Sequence, residues 1–325
     1  MKKIFTALIM IVTLWTSSWG QESLFAHYQY MVGDIAYMKN RADTTLSVTY
    51  VERYKGSNYL GVSVVVIPSI LELGEISYPV TAIGEDAFMS CTTLALIDIP
   101  NSVTSIGRRA FSGCTKLTSV YIPDSVTTIG DYAFENCTGL TSVKISNSVK
   151  SIGEKVFSMC YGLTSISIPR SVDSIDKYAF WGCSGLERIV VEEGNAKYDS
   201  RMNCNAIIET STNTLVLGCK KTVIPNSVAK IGACAFLNCC GGNLQSITIP
   251  KSVTSIDSYA FDGFCGITKM YVQSEVPIEI PKDAFGQSGN FQQQATLYVP
   301  VGSAARYRQH PEWGRFKTIE ETSIH

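Results

Sequence analysis

Apolar and polar residues alternate along this chain on two scales at once. Locally, Val120 and Ile122 flank Tyr121, two apart, as the inward pair of a short strand with Tyr121 on the other face. Pro123 then stops that strand. Val126 and Ile129 supply the next inward pair, Ala133 and Phe134 fill a turn that carries the chain back, and Leu140 opens the next strand. At longer range the whole pattern repeats: Phe88, Phe111, Phe134, Phe157 and Phe180 stand 23 residues apart. Phe236 and Phe261 mark two further copies, and Phe285 a degenerate one, after an interruption between Val191 and Thr222. One such unit cannot bury its own apolar face, so the repeat predicts a solenoid in which stacked copies line identical side chains along a continuous core. Gly130, replaced by Asp176 and Asp257 in other copies, is expected at a backbone position near positive φ.

The ends and the interruption read differently. Upstream of the repeat, Leu46-Ser47-Val48-Thr49-Tyr50-Val51 alternates in strand fashion, and Gly33-Asp34 and Gly56-Ser57-Asn58 are turn signals, which predicts a β-rich N-terminal cap. Within the interruption, residues 205–217 hold two strand-like runs about a polar turn and predict a hairpin coil replacing one repeat. At the C-terminal end Thr296–Pro300 is read as the last strand and 303–309 as a short helix, with Trp313, Phe316 and Ile319 as an apolar lid over the final coil.

The first twenty residues lie outside this pattern. Lys2 and Lys3 precede an apolar run over 4–15 and a small-residue end at 16–20, which together predict an export signal cleaved before Gln21. That apolar run is short of the roughly 18 residues a membrane span needs, and no later stretch approaches it. The expected organisation is therefore a signal peptide at 1–20, a β-rich cap at 21–79, repeats at 80–191, a hairpin insertion at 192–221, repeats at 222–290 and a cap at 291–325. The mature chain is expected outside the cytoplasm, at the cell surface, extracellular or periplasmic, without a transmembrane segment.

The residues quoted so far, Ser-Val-Thr-Ser-Ile-Gly-x-x-Ala-Phe-x-x-Cys-x-x-Leu-x-Ser-Val-x-Ile-Pro over 80–191 and 222–272, resemble the BspA-like leucine-rich repeat family. The Tyr198–Thr210 hairpin segment and the ending around 297–302 with Trp313 are similar to segments used by these proteins. This resemblance implies an α/β repeat solenoid with short parallel strands, in a bacterial exported or surface protein. Some members of the family bind host matrix and plasma proteins or promote aggregation between cells. It transfers no binding site, because the repeated residues are framework. Departures are Ser146 and Glu192 where Pro is usual, Val156 in place of Ala, and the loose copy around Phe285.

Composition narrows the function classes. Hydrophobic residues make up 45% of the chain and charged ones only 17%, which excludes a disordered protein. With 27 Lys+Arg against 28 Asp+Glu the net charge is -1, too little cationic field for nucleic acid as a partner. Only His27, His310 and His325 occur, so the repeats lack the commonest general base and metal ligand, and no enzyme, cofactor or metal is expected. The serines of one turn column, Ser102, Ser125, Ser148, Ser171, Ser227 and Ser252, are expected to bond local backbone rather than act as nucleophiles. Glu192 and Glu193 are adjacent on a strand and point to opposite faces, unlike a glycosidase pair.

Eleven cysteines in an exported chain raise the question of disulfides. Seven share one repeat column, Cys91, Cys114, Cys137, Cys160, Cys183, Cys239 and Cys265, where adjacent coils hold Cβ vectors parallel and too far apart for a bridge. They are expected as buried free thiols. A hairpin turning at Ser211-Thr212 would set Cys204 opposite Cys219, where either a disulfide or two separate thiols is compatible with the pattern.

Recognition is expected on the outward strand positions, Asp98, Tyr121, Lys144, Ser167, Val190, Thr248 and Tyr271. Asp98, Tyr121, Lys144 and Tyr271 are the candidate partner-binding residues. A protein ligand, such as a host matrix or cell-surface protein, is the first expectation and a glycan the second.

Overall fold

A computed structural model describes residues 29–32, 35–40, 44–49, 61–237, 245–263, 266–286 and 291–323. The predicted export signal and the Gly33-Asp34 and Gly56-Ser57-Asn58 turns lie outside these residues, as do Cys239, Cys240 and Cys265. Each coil contributes a strand of three or four residues, a turn at Pro, a two-residue strand, and an arc of turns that brings the chain back.

The longer strands stack in parallel along one side of the solenoid, hydrogen-bonded as four separate sheets, and in the regular coils their register equals the repeat. Ser142 pairs with Ser119 and Lys144 with Tyr121, and on the next coils Ser165–Ile168 pairs with Arg188–Val191. After the insertion Ser246–Ile249, Lys269–Val272, Thr296–Pro300 and Thr318–Thr322 make a four-stranded parallel sheet. Ile319, read from sequence as part of a lid, is thus buried in a further strand beyond Thr296–Pro300. A second parallel ladder runs through Ile76–Ile83, Ser105–Ile106 and Thr128–Ile129. The result is a β-solenoid of stacked parallel strands with little helix. Only Phe291–Gln294 and Ala304–Gln309 are α-helical among the described residues, so the α/β description overstates helix. None is long and apolar enough to cross a membrane.

The arc is short of helix because it bonds along the solenoid axis. In one coil Arg109, Phe111 and Gly113 donate their N–H groups to Asp131, Ala133 and Glu135 of the next coil at 2.8–3.0 Å. In the coil after that Tyr132, Phe134 and Asn136 do the same to Glu154, Val156 and Ser158. Aiming every second N–H the same way requires left-handed backbone on either side of the Phe: φ is 50° at Arg109, 61° at Tyr132 and 51° at Lys155, and 77° at Gly113 and 56° at Asn136. Left-handed backbone costs a non-glycine residue about 1–2 kcal/mol, which the inter-coil hydrogen bonds offset.

Gly130 has a different role from the one its sequence column suggests, since its φ is not positive. A Cβ there would stand 2.5 Å from the Arg108 nitrogen and 2.7 Å from the Gly107 carbonyl carbon. The glycine is required for close approach of two coils. Asp176 occupies the same column on the last coil before the insertion, and its Oδ1 accepts the Tyr178 N–H at 2.8 Å, a donor that earlier coils give to their neighbour.

Inside, the Phe rings form a stack. Centroids from Phe88 through Phe111, Phe134 and Phe157 to Phe180 are 5.1–5.5 Å apart, with planes within 5–8° until the last step opens to 17°. A second stack runs from Phe236 through Phe261 to Phe285. Trp313 and Phe316 meet Phe285 edge-on, each at 5.4 Å, and the Trp313 Nε1–H donates to the Ile278 carbonyl at 2.8 Å. Edge-on rings cannot be continued by another parallel ring, so the stack ends there.

Between the stacks, the hairpin Ala206–Glu209 and Thr214–Gly218 is buried on both faces. Ile207 belongs to the core of the first set of coils, while Ala206, Ile208 and Leu215 belong to the core of the second. The insertion is a partition with a core on each side. Gly218 sits flat against the Phe236 ring, leaving no room for a side chain. At the N-terminal end Leu46–Thr49 is also buried throughout, and the polar Ser47 donates to Asn40 Oδ1 at 2.6 Å.

Gly130→Ala is expected to lower stability by about 1–3 kcal/mol, the usual cost of forcing atoms into a packed interior. The urea midpoint measures it, and an unchanged midpoint would show that the coils do not need this approach.

Candidate functional site

Two rows of side chains leave the long ladder outward. One row holds Leu96, Ser119, Ser142, Ser165, Arg188, Ser246 and Lys269; the other holds Asp98, Tyr121, Lys144, Ser167, Val190, Thr248 and Tyr271. Their inward neighbours Val120, Val143, Ile166, Ile189, Ile247 and Met270 are all buried, so the outer rows have a rigid base. The period-2 pleat fixes which residues face out.

Of the four predicted site residues, Tyr121 and Lys144 come together: Tyr121 is 50% exposed and the Lys144 Nζ sits 5.1 Å over its ring centroid. Asp98 is exposed one rung before them, beside Val66 on the preceding strand. Tyr271 lies far along the ladder and stacks on Tyr298, with centroids 4.7 Å apart and planes 17° apart. The structure thus places these residues on one face but in two groups.

Other residues of this face were not anticipated. Val64 and Val66 extend it before Leu96 and are 55% and 62% exposed. Lys221 and Val223 fall in the two outward rows because Ile224-Pro225 aligns with Ile122-Pro123, a signal present in the sequence but masked by the insertion before it. That alignment is supported by Glu187, whose carboxylate pairs with Lys221 at 2.7 Å and Lys220 at 3.3 Å on the following coil. Tyr298 and Glu320 complete the row on the last two strands.

The cysteine column has its own chemistry. Four of its thiols donate to the carbonyl of the Phe one coil back: Cys114 to Phe88 and Cys137 to Phe111 at 3.1 Å, Cys160 to Phe134 at 3.2 Å, Cys183 to Phe157 at 3.0 Å. All are free and buried. Burial is the main cause that pushes Cys137 and Cys183 up to about 12, and it raises Cys160 well above the ordinary thiol range. A thiol held protonated is a poor nucleophile and a poor metal ligand.

Cys204 and Cys219 are also buried free thiols. A bulge between Ile207 and Ile208 shifts the hairpin register by one, pairing Ala206 with Gly218 and Ile207 with Leu217. Cys219 consequently reaches the Asn205 carbonyl at 3.3 Å and joins the first core, whereas Cys204 joins the second. The turn over 210–213 is centred on Ser211-Thr212 as expected, with Glu209 opposite Thr214 and Ile208 opposite Leu215, so the bulge alone takes Cys219 out of register with Cys204.

Two members of the serine column bond between coils rather than locally, whereas the buried Ser102 and Ser252 hydroxyls have no hydrogen-bond partner among the described residues. Ser125 Oγ donates to the Val103 carbonyl and Ser171 Oγ to Val149, both at 2.6 Å. Ser146, standing where Pro is usual, takes over for Ser148 by donating to Val126 at 3.1 Å.

A family model for the BspA type leucine rich repeat region matches six copies over residues 72–209 and 214–297. Among solved structures, a leucine rich cell surface protein from Faecalibacterium prausnitzii is 24% identical, with a TM-score of 0.53 over 92% of this chain and 96% of that one. The pneumococcal vaccine antigen PcpA is 14% identical, TM-score 0.55, over 92% and 99%. A leucine-rich repeat protein from Eubacterium ventriosum is 21% identical, TM-score 0.57, over 92% and 73%. These likenesses share the fold. No curated protein is similar to the chain at a significant level.

The raised thiols make stability depend on alkaline pH. Because the folded thiols titrate near 12 and unfolded ones near 9, their contribution is fully present below about pH 9 and is lost as pH rises toward 12. The urea midpoint should therefore fall from pH 8 to pH 10.5, and Cys137→Ala with Cys183→Ala should flatten that fall. An equal fall in the double variant would assign it to other groups.

Proposed function

The chain belongs to the BspA-type leucine-rich repeat family, and on that premise we propose that it is a non-enzymatic recognition module, exported to the cell surface or released from it, that binds a protein partner through its outward strand face. The observation that carries this reading is the contrast between rows. Inward positions repeat Val, Ile, Phe and Cys almost without change, while the outward row from Asp98 through Tyr121, Lys144, Ser167, Val190 and Thr248 to Tyr271, on the same rigid strands, changes identity from each of these coils to the next. A surface free of packing duty, presented on fixed strands, suits recognition.

Export is supported by the amino-terminal pattern and by the resemblance to a protein described as a cell surface protein. The aromatic geometry favours protein over glycan. Stacking on a sugar needs an open ring face, and on this surface Tyr121 carries Lys144 over its ring while Tyr271 and Tyr298 cover each other. Their free edges and hydroxyls suit the mixed contacts of a protein interface, where Tyr is enriched.

The chain from residue 21 onward is expected to bind at least one protein in a panel of extracellular-matrix and plasma proteins. Replacing Tyr121, Lys144 and Tyr271 together by Ala should weaken that binding by about tenfold or more, with circular dichroism unchanged. Binding that persists at full affinity in the variant would move the interface off the strand face.

A further inference from the structure

The charges of the strand face do not follow those of the chain. Formal net charge over the whole sequence is -1. Along the outward rows from Ser119 to Tyr271, however, every charged residue is a cation: Lys144, Arg188, Lys221 and Lys269. Carboxylates in these rows occur only beyond that stretch, Asp98 at one end and Glu320 at the other.

Neighbouring carboxylates neutralise part of this strip but not all of it. Glu187 engages Lys220 and Lys221, and Glu192 Oε1 reaches the Ser167 hydroxyl at 3.5 Å. That leaves Lys144, Arg188 and Lys269, none of which makes an ion pair among the described residues. Lys144 lies on the Tyr121 ring, which holds the ammonium in place without neutralising it. The turn row that follows the strands is balanced, with Asp124 and Glu193 against Arg170 and Lys251, so the excess does not extend to that adjoining row. Between the cations stand donors without charge, Ser142, Ser165, Ser167, Ser246 and Thr248.

We infer that the strand face between Tyr121 and Tyr271 takes an acidic, extended protein segment. Its carboxylates meet Lys144, Arg188 and Lys269, the hydroxyls bond its backbone, and Asp98 and Glu320 repel acidic residues beyond the ends. The spacing agrees: Lys144 and Arg188 are two rungs apart along the axis and one row apart across it, about 12 Å in all, which about four residues of extended chain cover. The inference rests on the strand face being the interface and adds the chemistry of the partner.

A fluorescein-labelled oligoglutamate of about 15 residues, titrated against the chain from residue 21 at low salt, tests it by anisotropy. Binding is expected, weakening steeply toward about 300 mM salt. K144E, R188E and K269E together should reduce it about tenfold or more, while K150E, K177E and K282E, which carry the same charge change off this face, should not. No binding by the unmodified chain, or equal loss in both triple variants, would overturn the inference. Binding of heparin in preference to oligoglutamate would replace the acidic protein by a polyanionic glycan. If a panel protein binds through the strand face but is insensitive to salt and to the first triple variant, the interface stands and its acidic partner does not.

Discussion

Identical side chains stacked in register hold this molecule together. A ladder with a fixed repeat places each residue over its counterpart one coil away, so every column must tolerate its own copy at about 5 Å. Phe does so by offset stacking at 5.1–5.5 Å with near-parallel planes. Cys does so by turning its S–H to the Phe carbonyl behind it rather than to the next sulfur. Gly107 and Gly130 do so by having no side chain where backbone passes backbone. Stability of this kind resides in the contact between neighbours, and a single coil has almost none of its own.

The places where stacking stops show the same rule from the other side. On the last coil before the insertion the Phe planes diverge by 17° and Asp176 takes up an N–H that has no coil to meet. The hairpin then presents alternate side chains to two cores, which a strand does naturally because its faces alternate. Its bulge decides which cysteine faces which core and so keeps Cys204 and Cys219 apart. At the C-terminal end Trp313 and Phe316 finish the ring stack edge-on, with the indole N–H satisfied by Ile278.

The inward columns were legible in the sequence because burial restricts them to a few residue types, and a constant spacing repeats the restriction five times in succession from Phe88 to Phe180. Backbone conformation was not. The left-handed column before the Phe carries Arg109, Tyr132 and Lys155, residues with no compositional mark of positive φ, because inter-coil hydrogen bonds impose the conformation. The column after the Phe does carry the mark, in Gly113, Asn136 and Gly182, but glycine also stands at Gly130, where the constraint is space. The serine column was read as local because Ser ordinarily bonds within its own turn, whereas Ser125 and Ser171 donate to a carbonyl of the adjacent coil. Tyr121 and Lys144 were placed on the surface by period-2 alternation alone; Lys221 and Val223 were missed because the insertion breaks the count. The charge bias of the strand face emerges only when distant residues are set on one ladder.

A scaffold held by its neighbours can vary its outer rows freely, since those rows take no part in the stack. That separation underlies both the recognition role and its chemistry. Native-state hydrogen exchange of the Phe-column amides tests the stacking claim most directly. These N–H groups bond only to the next coil, so protection should be greatest in the middle of the first stack, at Phe111 and Phe134, and should fall toward Phe88 and Phe157. Equal protection at every Phe, unchanged by position in the stack, would mean that each coil is stable by itself and would contradict the account.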